Sequence, residues 1–176
     1  MRDQKPAVFM DRDGTLILDR GYLRSPDDVV FYRQTIDALR MLQLKFDIFI
    51  ISNQSGIAKG FQSVEETENV NRHIVNELAL SGISVKDFYY CPHRREDNCR
   101  CMKPRPFFAH KAAADYGVPL SCSFSVGDHP HDVELANNFG GVGVYLLTGH
   151  GGKHVSELRK DVFVAKNILA ASRHIM

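Results

Sequence analysis

Short apolar runs alternate along this chain with segments of helical periodicity, and that alternation leaves few architectures open. Ala7-Val8-Phe9-Met10 is apolar without a break, as a strand buried inside an α/β protein should be. Residues 46–51 read the same way, and further strands are expected at 85–90, 122–126, 142–147 and 161–165. Helices are expected at 35–44, 64–80, 107–116, 132–139 and 167–174, with Ser63 capping the start of the second and Gly82 its end. Strands separated by helices make a largely parallel sheet with helices on both faces, a Rossmann-like α/β fold. The 176 residues contain no repeat, low-complexity tract or linker, so one domain over residues 1–176 is expected, with no separate cap domain.

Charge narrows the partners. A formal net charge of +1 gives no electrostatic grip on nucleic acid or on an anionic membrane. No apolar stretch approaches the roughly 20 residues that span a bilayer. The first six residues lead into the first strand without the apolar core of a signal peptide. A cytoplasmic monomer acting on a small molecule is the expectation.

Asp11-Arg12-Asp13-Gly14-Thr15 follows the first apolar run, which puts Asp11 at the carboxyl end of a strand, where open α/β sheets bind ligands. Two carboxylates this close repel unless a cation or shared proton relieves them. Mg²⁺ does so, using one or two carboxylates together with phosphate oxygens. A hydrated turn would read alike from this stretch alone. Two other strand ends carry Ser52-Asn53 and Asp128 with Asp132, and Lys103 lies between them in sequence. Carboxylates, a hydroxyl, an amide and a cation are the parts that phosphoryl transfer requires. Singly, each also fits a turn, a solvated cation or a first-turn acid favoured by the helix dipole.

Three of the four cysteines fall close together, as Cys91-Pro92-His93 and Cys99-Arg100-Cys101. In a reducing compartment this suggests metal before disulfide. Three thiolates and one imidazole make a closed four-ligand shell, the form of a structural Zn²⁺ site, in a loop at residues 91–101. The alternative is a loop that holds three free thiols. Cys122 reads as a small core residue in a strand.

In this order the motifs resemble those of the haloacid dehalogenase-like phosphatase superfamily, from Ala7 to about Leu147: Asp11-x-Asp13-Gly14-Thr15, Ser52, Lys103, and Gly127-Asp128-x-x-x-Asp132. The resemblance implies that Asp11 attacks phosphorus to form an aspartyl-phosphate, while Asp13 protonates the leaving oxygen and then activates water. It implies Mg²⁺ on Asp11, the Asp13 backbone carbonyl and Asp128, with Ser52 and Lys103 holding the transferred group. The cysteine loop is similar to the zinc loop shared by D-glycero-D-manno-heptose 1,7-bisphosphate phosphatases and histidinol-phosphate phosphatases. Such a zinc would order the loop and fix Lys103, two residues beyond Cys101.

Two stretches resemble the heptose branch, Asp19-Arg20-Gly21-Tyr22 and the run from Ser52 to Gly60. By that resemblance Asp19, Arg20, Gly21, Tyr22, Ser52, Asn53, Gln54 and Ser55 line a sugar phosphate pocket, and Met102, Lys103 and His129 complete it. The expected reaction removes the C7 phosphate of the heptose bisphosphate in nucleotide-heptose biosynthesis. Two positions depart from the family pattern: Met102 stands where an arginine is usual, and His129 where lysine is frequent. Both remove fixed charge, which Arg20, Arg100 or Arg105 could restore. The alternatives are a histidinol-phosphate phosphatase or another small-metabolite phosphatase, and from a different class, a non-catalytic zinc-knuckle binding module. His131 and His150 read as surface histidines, and Gly149-His150-Gly151-Gly152 as a flexible loop.

Overall fold

The computed structural model describes residues 4–176. Six strands, β1 (Ala7–Met10), β2 (Asp47–Asn53), β3 (Val85–Cys91), β4 (Phe124–Gly127), β5 (Val142–Leu146) and β6 (Phe163–Ala165), form one sheet in the order β3-β2-β1-β4-β5-β6. Every neighbouring pair is parallel. The helices are α1 (Thr35–Leu42), α2 (Val64–Leu80), α3 (Phe107–Tyr116), α4 (Pro130–Phe139), the four-residue α5 (Gly151–His154) and α6 (Ile168–Ile175).

Alternation along the strands splits the core in two. Val8 and Met10 face one side with Ile48, Ile50, Val126 and Val144, where α1, α2 and α6 contribute Leu39, Ile74 and Ile168. Ala7, Phe9, Phe49 and Ile51 face the other, against Ala109 and Ala112 of α3 and Leu135 and Phe139 of α4. Side chains buried on both faces explain why these strands carry no polar alternation. The chain runs outward from β1 to β3, then returns to lay β4 on the opposite edge of β1. Strand order therefore reverses between β1 and β4, and the crevice above their carboxyl ends is the binding position of such sheets. Among the described residues, the loop that follows β1 carries a 3-10 turn, Pro26–Asp28, and two isolated bridges, Asp13–Ile17 and Ile17–Phe31, and the loop that follows β3 a 3-10 turn, Arg95–Asp97, so neither folds into a cap domain over that crevice.

α2 and α3 begin and end where the sequence placed them. Ser63 accepts the Glu66 N–H at 3.0 Å, and the Glu66 carboxylate accepts the Ser63 N–H at 2.7 Å, a reciprocal cap. The bounds of α1, β2 and β6 differ from expectation by up to two residues, and three further expectations need correction. Cys122 is exposed in a 3-10 turn, Leu120–Cys122, and β4 starts only at Phe124. The Ser123 hydroxyl accepts the Ala7 N–H at 3.0 Å and donates to the Pro119 carbonyl at 2.8 Å, which holds the turn up to the strand. The glycine run at 149–152 turns into α5 at Gly151 and is held there, with Tyr145 donating to the Gly151 carbonyl at 3.0 Å and Gly149, ahead of the helix, donating to the Tyr32 hydroxyl at 3.2 Å. α4 begins two residues early, because Pro130 fits its first turn and His129 serves as N-cap.

Replacing Ser63 by alanine removes one half of the cap and should lower stability by about 1 kcal/mol. A shifted urea midpoint at constant slope checks it.

Candidate active site

Where β1 ends, the Asp11 amide donates to Val126 of β4 at 2.9 Å, fixing the carboxylate over the switch point. Lys103 arrives from the loop before α3, and its Nζ lies 2.6 Å from Asp11 Oδ1 and 2.6 Å from Asp132 Oδ1. Burial opposes the charge on Lys103, yet the two carboxylates outweigh it and raise its pKa, so it stays an ammonium. Asp128, one residue past β4, accepts the His150 N–H at 2.6 Å. One oxygen each of Asp11, Asp128 and Asp132 lies within 4.8 Å of the others.

Lys103 neutralises only part of this cluster. Burial, then the Asp11 and Asp132 carboxylates, push Asp128 up to about 8, and burial likewise raises Asp11 against the pull of Lys103. An all-oxygen donor set with excess negative charge fits a hard divalent cation. Two glycines let the acids approach. Gly14 has φ +79°, and a Cβ there would stand 2.2 Å from Asp128 Oδ2; a Cβ on Gly127 would stand 2.1 Å from Asp132 Cγ.

Asp13 sits in a different setting. Arg12 is fully buried and donates to Asp13 through Nε at 2.9 Å and Nη2 at 3.0 Å. Its remaining donors reach Asn71 Oδ1 of α2 at 2.8 Å and Gln54 Oε1 at 3.0 Å. Gln54 Nε2 in turn donates to Asp13 at 2.9 Å and to the Ser52 hydroxyl at 2.6 Å. Ser52 accepts there, which leaves its own proton free to donate into the crevice. Burial holds Asp13 above the usual carboxylate range despite Arg12. Asn53 grips the lysine loop at its backbone: its Oδ1 accepts the Lys103 N–H at 3.0 Å, and its Nδ2 donates to the Lys103 carbonyl at 3.3 Å.

Cys91, His93, Cys99 and Cys101 converge beside this loop. Cys101 Sγ lies 3.2 Å from Cys91 Sγ, 3.7 Å from Cys99 Sγ and 3.3 Å from His93 Nδ1. Ligand atoms on a tetrahedral zinc stand roughly 3.5–3.8 Å apart, given the usual bond lengths. Burial pushes the Cys91 and Cys101 thiols up, while against burial the hydrogen bonds from Cys91 and the loop backbone pull Cys99 down, and sulfurs packed this closely ionise together only around a cation. The donor set fits zinc.

Known proteins are similar to this chain. A family model described as HAD-hydrolase-like matches residues 100–171. The chain is 39% identical over 136 residues to the probable D-glycero-D-manno-heptose-1,7-bisphosphate 7-phosphatase of Thermoplasma acidophilum, covering 76% of this chain and 85% of that protein. It is 33% identical to the D-glycero-beta-D-manno-heptose-1,7-bisphosphate 7-phosphatase of Yersinia pestis, covering 80% of each. This chain is a haloacid dehalogenase-like phosphatase. It belongs to the branch of the heptose bisphosphate phosphatases, and is a phosphoric monoester hydrolase. A crystal structure of the D,D-heptose 1,7-bisphosphate phosphatase from B. bronchiseptica, with magnesium and phosphate, superposes with TM-score 0.88 at 27% identity over 97% of both chains.

The fold of this phosphatase brings Asp11, Asp13, Ser52, Asn53, Lys103, Asp128 and His129 around one cavity of about 180 Å³. Asp19, Gly21, Tyr22, Gln54 and Ser55 line a second that shares Asp13 and Asn53 with the first, and Arg20 a third. Met102 is half-buried and is not among the residues lining any of these three. His131, half-buried, and His150, exposed, also line the catalytic cavity. Burial, then His131 and His154, lowers the pKa of His129 to about 4, so no positive charge stands there at neutral pH. Sequence reasoning missed Arg12. A charge inside the first motif was the available signal, but its burial is settled by partners far along the chain.

Arg12→Met leaves a partly buried carboxylate without its partner and should destabilise the phosphatase by on the order of 3 kcal/mol, Arg12→Lys by less. Chemical denaturation of the three proteins measures both.

Proposed function

We propose that this phosphatase removes the C7 phosphate of D-glycero-D-manno-heptose 1,7-bisphosphate through an aspartyl-phosphate on Asp11. The observation that carries the chemistry is the Lys103 ammonium held 2.6 Å from Asp11 beside the Asp128 and Asp132 carboxylates. Similarity to heptose bisphosphate 7-phosphatases supports the substrate.

An Asp11 oxygen attacks phosphorus as the bond from phosphorus to the sugar oxygen breaks, and Asp13 gives that oxygen its proton. Asp13 then takes a proton from the water that attacks the aspartyl-phosphate, which releases inorganic phosphate and restores both carboxyl groups. Its raised pKa suits a group that must carry the proton in one step and lack it in the next. Ser52 and Lys103 donate to the transferred group. Gln54 joins Ser52 to Asp13, so the hydroxyl that holds phosphate and the carboxyl that moves the proton keep one spacing. Asp11, the Asp13 carbonyl and Asp128 would hold Mg²⁺, which supplies positive charge against phosphate oxygens. Zinc on Cys91, His93, Cys99 and Cys101 would act at one remove, by ordering the loop that presents Lys103. The enzyme works as a soluble cytoplasmic monomer on a phosphorylated sugar, and neither nucleic acid nor membrane takes part.

Phosphate release from the heptose bisphosphate, heptose 7-phosphate and histidinol phosphate tests the substrate. The bisphosphate should give the highest kcat/KM, and faster turnover of histidinol phosphate would overturn the reading. Asp11→Asn should abolish turnover while leaving the circular dichroism spectrum unchanged, because an amide is no nucleophile.

Protein purified without chelator should carry about one zinc per chain, as a closed four-ligand site implies. Cys99→Ser should lose the metal, and with it both melting temperature and turnover. Elemental analysis together with calorimetry reads both.

A further inference from the structure

A wider cavity, of about 610 Å³, opens beside the catalytic one and is walled in part by Asp19, Arg20, Tyr32, Gly149, His150 and Lys153. His150 lines both cavities. Its N–H bonds Asp128 at 2.6 Å, and its ring Nε2 lies 2.7 Å from Asp19 Oδ2, so a single residue separates the two spaces.

The charge in this cavity is one-sided. Asp19 is the acid in its wall, and its carboxylate is engaged within the protein: Oδ1 accepts the Gly21 N–H at 2.8 Å and Oδ2 faces His150. Arg20 and Lys153 have no carboxylate partner among the described residues, and the Lys153 ammonium touches only His150 Nδ1, at 3.4 Å. The Tyr32 hydroxyl accepts from Gly149, which leaves its proton to donate.

On the opposite side of the catalytic cavity the zinc-loop arginines are mostly engaged. Arg94 donates to the Ala58 carbonyl, and Arg105 to the Cys99 carbonyl and Asn98. Arg100 lies 5.2 Å from the centre of the Phe107 ring. Arg95 alone reaches a residue of the catalytic cavity, donating to His131 at 3.2 Å.

We propose that the cavity of Arg20, Tyr32, His150 and Lys153 seats the second anionic group of a doubly charged substrate, a phosphate remote from the one that meets Asp11. Two ammonium-type charges and a phenolic donor match a phosphate dianion, and the guanidinium of Arg20 supplies paired N–H groups to it. The proposal deepens the function given above and rests on its reacting centre, though not on the identity of the sugar.

The test compares wild type, Arg20→Met, Lys153→Met and the double variant, all loaded with Mg²⁺. Heptose 1,7-bisphosphate and heptose 7-phosphate form one pair of probes, fructose 1,6-bisphosphate and fructose 6-phosphate another. Each is read as substrate by kcat/KM and as inhibitor of p-nitrophenyl phosphate turnover by its inhibition constant. Each single change should weaken the bisphosphates roughly tenfold, chiefly in KM, and the double change up to about a hundredfold, the range of charged hydrogen bonds. In Lys153→Met the monophosphates and the aryl phosphate should move by no more than about twofold. Wild-type protein that treats bisphosphate and monophosphate alike in both pairs overturns the proposal, as does equal loss on both in Lys153→Met. So does a bisphosphate-specific loss that appears in Arg95→Met instead, which would seat the second anion on the zinc-loop side. If only the fructose pair discriminates, the heptose assignment falls and the cavity stands.

Discussion

Three carboxylates gathered at one end of a parallel sheet would drive it apart, and a single ammonium is what permits them to meet. Lys103 binds Asp11 from β1 and Asp132 from α4 at the same 2.6 Å, joining two halves of the sheet through a residue that belongs to neither. Pairs this buried add little net stability by themselves, because desolvation consumes most of the Coulomb gain. Their value here is positional. They hold the attacking carboxylate oriented beside a charge able to follow the phosphoryl group.

Such an ammonium must itself be delivered accurately, and two independent holds do so. Asn53, at the end of β2, clasps the Lys103 backbone through both its amide donor and its carbonyl. The cluster of Cys91, His93, Cys99 and Cys101 shapes the approach from the other side, with Cys91 closing β3. A loop of this length carries little apolar surface, so its order has to come from metal ligation and polar clasps rather than from burial.

Much of this was readable before any coordinates. The strands announce themselves because both their faces are buried, and the acids at their ends stand in an order that few folds other than this one use. α2 was visible to its last residue because Ser63 offers a cap and Gly82 a stop. Cys122 misled because the apolar spacing of Cys122, Phe124 and Val126 looks like a strand, whereas the boundary is set by Ser123 bonding Ala7, 116 residues earlier. Arg12 was illegible for the same reason. Its burial depends on Gln54 and Asn71, which lie 42 and 59 residues away and are polar in themselves. Local pattern carries fold and chemistry well, and carries poorly whatever two distant polar groups decide between them.

The bond from the Asp11 amide to Val126 has a consequence for assembly. β1 pairs with β2 through a connection of modest length, but β4 must come back across more than half the chain to take the other edge of β1. Until it does, the nucleophile's own backbone is free and Asp128 is elsewhere. No partial sheet can therefore hold even a weakened version of this centre. The first productive encounter with substrate must wait for the most distant of β1's pairings to close, and the appearance of activity marks the moment at which β1 and β4 have found each other.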